Sequence, residues 1–80
     1  MTDVTNQERL VVQAEDRTWP YLWVPFVQID RLKAIFNRYP MKYYVEDFTV
    51  SKNSGPKMIK INFARNTDPD FVQGILDQEQ

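Results

Sequence analysis

Residues 43–77 read YYVEDFTVSKNSGPKMIKINFARNTDPDFVQGILD, and this stretch decides the fold. Near its middle lies the clearest half-buried strand of the chain. Ile59, Ile61 and Phe63 alternate with Met58, Lys60 and Asn62, the period of two that sends successive side chains to opposite faces of a sheet. Upstream, residues 42–51 are rich in Tyr, Val, Phe and Thr, the types that suit a pleated surface. Tyr44, Phe48 and Val50 share one face of that second strand and Tyr43, Val45 and Thr49 the other, provided that a bulge at Glu46-Asp47 reconciles its two halves. Between the strands, Lys52-Asn53-Ser54-Gly55-Pro56 has the residues of a hairpin loop.

The same stretch ends in a helix. Thr67 or Asp68 serves as its cap, Pro69 suits the first helical position, and Asp70 is favoured in the positive first turn. Phe71, Val72, Ile75 and Leu76 form its apolar stripe. Gly74 interrupts that helix at a cost of about 1 kcal/mol relative to alanine, implying either a closely packed backbone or a marginal helix.

Toward the N-terminus the period changes. In residues 26–39, Ile29, Leu32, Ile35, Phe36 and Tyr39 fall on one helical stripe, with Arg31, Lys33, Asn37 and Arg38 facing away. Pro25 or Asp30 marks the start of this helix, and Pro40 stops it. Two extended pieces precede it, residues 9–14 and 19–24, separated by a turn at Glu15-Asp16-Arg17. Residues 1–8 are expected to be a disordered lead-in, with residues 9–80 forming a single domain.

The order is therefore strand, strand, helix, strand, strand, helix. We expect an α+β fold, a small two-layer sandwich with two helices on one face of a four-stranded, mostly antiparallel sheet. This ββαββα order is similar to a ferredoxin-like sandwich, circularly permuted so that residues 9–14 supply the last strand by pairing with residues 19–24. Two helices leave the other sheet face open. Either phasing of residues 21–24 leaves two large side chains facing out, and the preferred outer face carries Tyr21, Trp23, Tyr43, Val45, Met58 and Lys60, with Val11, Thr49 and Asn62 beside them.

Composition limits the functions available. Eighty residues hold one core, and two Trp, four Tyr and five Phe supply ample apolar area for it. With no His and no Cys, the common nucleophiles, near-neutral bases and soft-metal ligands are missing, and no disulfide can form. A reducing, cytoplasmic setting is the expectation. The first eight residues are polar and carry Asp3 and Glu8, so no secretory signal is expected. The longest nearly apolar run, residues 19–27, contains Pro20 and Pro25 and is about half the length of a membrane span.

Candidate chemistry is sparse. Glu46 and Asp47 are neighbours on a strand and point apart, so they do not converge on a substrate. Asp68 and Asp70 are explained by helix capping rather than by magnesium. The segment from Ser51 to Lys57 lacks the glycine spacing and the following helix of a phosphate loop. No catalytic activity, cofactor or metal is expected, and no motif of a named family is present. A basic excess between Arg31 and Arg65, interleaved with aromatics, admits an alternative use of the open face, binding of single-stranded nucleic acid. The preferred expectation is an interaction module that pairs with itself or with a protein partner, away from membranes.

Overall fold

The computed structural model describes residues 1–15 and 19–79. Strand β1 spans Tyr21–Pro25, a 3-10 turn Phe26–Gln28, helix α1 Ile29–Phe36, strand β2 Tyr43–Val50, strand β3 Met58–Phe63 and helix α2 Pro69–Gln78. The three strands form one antiparallel sheet in the order β1-β3-β2. Because β1 and β2 each run antiparallel to β3, they are parallel to one another, and α1 makes the crossover between them.

Register divides the residues between the two faces. Leu22 pairs with Ile61 and Val24 with Ile59, while Tyr43 pairs with Phe63 and Val45 with Ile61. Residues directly opposite each other share a face, so these side chains, with Thr49 opposite Ile59, point to one side. That side is covered. Ile29, Leu32, Ile35 and Phe36 of α1 and Val72, Ile75 and Leu76 of α2 join Leu22, Val24, Ile59, Ile61 and Phe63 in a single buried core. The Phe36 ring meets Phe63 edge-on at 5.4 Å and Tyr43 at 5.6 Å, which fixes the α1 end over the Tyr43–Phe63 end of the β2–β3 pair.

Local chemistry sets the element ends as expected for α2, where the Asp68 carboxylate accepts from the Asp70 N–H at 2.9 Å and Pro69 follows the cap. Helix α1 is shorter than its apolar stripe suggests. Pro25 remains extended at the end of β1, a 3-10 turn intervenes, and after Phe36 the Arg38 and Tyr39 N–H groups tighten onto Ile35 and Phe36 before Pro40. In β2, Glu46, Asp47 and Phe48 stand opposite Lys60 alone, so the expected bulge is present and inserts two residues. Two insertions preserve the alternation, leaving Val45 and Thr49 on the same face. In the hairpin loop, Asn53 and Ser54 adopt φ of 52° and 60°, and the Gly55 N–H closes onto the Lys52 carbonyl at 2.8 Å. A side chain at Gly55 would place its Cβ 2.9 Å from that carbonyl oxygen, so the turn requires glycine there.

The sheet has three strands among the described residues, one fewer than expected. Residues 9–14 make a single bridge to β1, in which Gln13 and Tyr21 exchange both backbone hydrogen bonds at 2.8 and 2.9 Å. The rest of the segment is drawn away by α2: the Gln73 carboxamide donates to the Leu10 carbonyl at 3.0 Å and accepts from the Val12 N–H at 2.8 Å. A side chain thus satisfies the backbone groups that a strand ladder would have used. Apart from Glu15, the expected turn at 15–17 lies outside the described residues.

Residues 1–8, expected to be a disordered lead-in, are laid against the domain. Met1 is buried and its amino group donates to the Leu76 carbonyl. Asp3 is also buried, with its carboxylate accepting from the Thr5 hydroxyl and from the Thr5 and Asn6 N–H groups. The buried Gln28 carboxamide repeats the Gln73 device, donating to the Thr2 carbonyl and accepting from the Val4 N–H, both at 3.0 Å.

Candidate interaction surface

The face without helices is built from alternate residues of three strands. Tyr21 and Trp23 come from β1, Met58, Lys60 and Asn62 from the central β3, and Tyr44 and Val50 from β2, each placed by pairing with a neighbour already on this face. Exposure separates them from the core on the same strands: Trp23 is 39% exposed, Tyr44 57%, and Phe48 on the bulge 62%. Exposed large apolar side chains gathered on one sheet face are the usual mark of a contact surface.

Four of the six site residues expected from sequence, Tyr21, Trp23, Met58 and Lys60, stand together on this face. Tyr43 and Val45 do not. They pair with Phe63 and Ile61, pack half-buried against the core, and belong to the helix-covered side together with Thr49. Tyr44, Phe48 and Val50 take their place, and Val11, though exposed, lies outside the sheet. The missed residues were already grouped by their alternation in β2; what decides between the groups is the hairpin register, which sets Tyr43 opposite a side chain that has to be buried.

Polar groups on the face are mutually engaged. The Lys60 ammonium lies 4.6 Å from the centre of the Tyr21 ring, and the Tyr21 hydroxyl donates to Glu15 Oε1 at 3.3 Å. Desolvation, followed by the negative charge of Glu15, raises the Tyr21 hydroxyl above its ordinary range. Asn62 donates to Glu46 Oε1 at 3.0 Å. Beside these groups lie two hollows, one of about 360 Å³ lined by Trp23, Val50, Lys52, Pro56 and Met58. The other, of about 350 Å³, lies between Trp19, Tyr44 and Asn62.

Among the described residues no group of three acidic side chains could hold a metal ion, and no helix is long and apolar enough to cross a membrane. No protein family matches the chain, and no match is found among curated proteins or solved structures.

Proposed function

We propose that the chain is a small non-enzymatic interaction module that associates with a second copy or a protein partner through the helix-free face of its sheet. The observation that carries this reading is the exposure of Trp23, Tyr44, Phe48 and Val50 on that one face, while the sequence neighbours of Trp23 and Tyr44 are packed inside or against the core. Charge favours a protein partner over nucleic acid. The carboxylate of Glu46 is held on the face by Asn62, where it would repel phosphate, and Lys60 is already stacked on Tyr21.

Light scattering from micromolar to millimolar concentration tests the reading. The mass should rise with concentration for the native chain and stay monomeric for Trp23→Asp, with unchanged circular dichroism. A native chain that remains monomeric throughout contradicts self-association. Quenching of the tryptophan fluorescence by a short oligonucleotide at low salt would transfer the face to nucleic acid.

A further inference from the structure

The open face carries a projection and a recess side by side. The projection is Phe48, 62% exposed on the two-residue bulge, with Glu46 two positions before it. Asn62 holds the Glu46 carboxylate on this face, and its remaining lone pairs are free to accept. The recess is the hollow of about 360 Å³, with Met58 and Val50 as apolar lining, Trp23 as an aromatic wall and Lys52 contributing a cation. Neither Glu46 nor Lys52 has an ion-pair partner among the described residues.

We propose that two copies of this chain pair through this face, Phe48 of each entering the Trp23–Met58 recess of the other while Glu46 of each faces Lys52 across the junction. The inference rests on the reading of the face as an association surface and names its occupant. A twofold interface requires one patch to be complementary to itself, so that each residue meets a different residue on the partner. This face meets that requirement in shape, with an aromatic projection beside an aromatic-walled recess, and in charge, with the Glu46 carboxylate and the Lys52 ammonium at its recess both outside any ion pair among the described residues. An aromatic anchor in an apolar recess is also the arrangement in which contact energy concentrates at interfaces. A purely acidic or purely basic partner would leave one of the two charges opposed.

Charge exchange tests it, because the two contacts are related by symmetry. Glu46→Lys alone and Lys52→Glu alone each bring like charges together at both junctions, and each should weaken self-association at least about tenfold at low salt. Mixed in equal amounts, the two variants form a pair in which both junctions again join opposite charges, so association should return to near the native level. Phe48→Ala, at an exposed position, should weaken association by at least about tenfold without altering the unfolding midpoint. Native self-association with no recovery in the mixture overturns this pairing and leaves the association surface intact. A native chain that is monomeric at millimolar concentration overturns both this pairing and self-association through the face.

Discussion

The sheet holds its place through Leu22, Val24, Ile59, Ile61 and Phe63, each 7% exposed or less. Residues 1–13 reach the same core with two buried apolar anchors, Met1 and Leu10, and the half-buried Val12, and depend for the rest on polar ties. The carboxamides of Gln28 and Gln73 each span a carbonyl and an N–H two residues apart. Arg9 adds an exposed double contact to Asp77, at 3.0 and 2.6 Å. One region is thus held by area removed from water and the other by satisfied backbone. The first kind of support is large and shared among many residues, whereas the second is small and concentrated in a few.

That contrast sets the expected sizes of substitution effects. The largest belongs to Phe36→Ala, which removes a fully buried ring from between Tyr43 and Phe63 and should cost about 3–5 kcal/mol in urea unfolding. Gln73→Ala should cost about 1–3 kcal/mol, and hydrogen exchange should quicken at the Val12 amide while Ile59 and Ile61 stay protected. Equal losses from the two substitutions, or exchange quickening throughout the sheet, would break the comparison.

A smaller effect of opposite sign is expected at Gly74. A Cβ built there meets nothing within 4 Å, so neither close packing nor backbone conformation requires glycine. Gly74→Ala should stabilise by about 0.5–1 kcal/mol, read as a raised unfolding midpoint.

The smallest effect is electrostatic. Hydrogen bonds from Arg9 and Gln73 lower the Asp77 carboxyl from its ordinary 3.8 to about 2. Its folded form therefore favours the carboxylate, and the stability contributed is complete above the unfolded pKa and lost as pH falls from about 4 toward about 2. The stability gap between the native chain and Asp77→Asn should close over that window, and added salt should narrow it near neutral pH, since both partners are exposed. A gap that widens on acidification would reverse the sign.

The two regions also differ in how far their sequence reveals them. The β3 alternation, the α1 stripe, the Asp68-Pro69 helix start and the bulge after Val45 follow from near neighbours, and all of them are present. The N-terminal region does not follow from near neighbours. Residues 10–12 carry a strand-like pattern, but Gln73, more than sixty positions away, captures their backbone, and no local period announces a carboxamide acting as a peptide group. Tyr43 and Tyr44 were ambiguous for a related reason. Adjacent tyrosines carry no phase of their own, and only pairing with Phe63 sends the first inward and the second to the open face.

The bulge in β2 has a further consequence, for the behaviour of concentrated solutions. A straight edge strand offers an unbroken row of backbone donors and acceptors, onto which any other extended chain can add, and such growth has no natural end. Strand β2 lies at the sheet edge, and the two residues inserted opposite Lys60 interrupt that row near its middle. Fibre growth along this edge is therefore obstructed, while contacts through the face can close on themselves as finite particles. Were Trp23, Tyr44 and Phe48 to bring copies together as proposed, the interrupted β2 edge would still obstruct their continuation into a fibre along that edge.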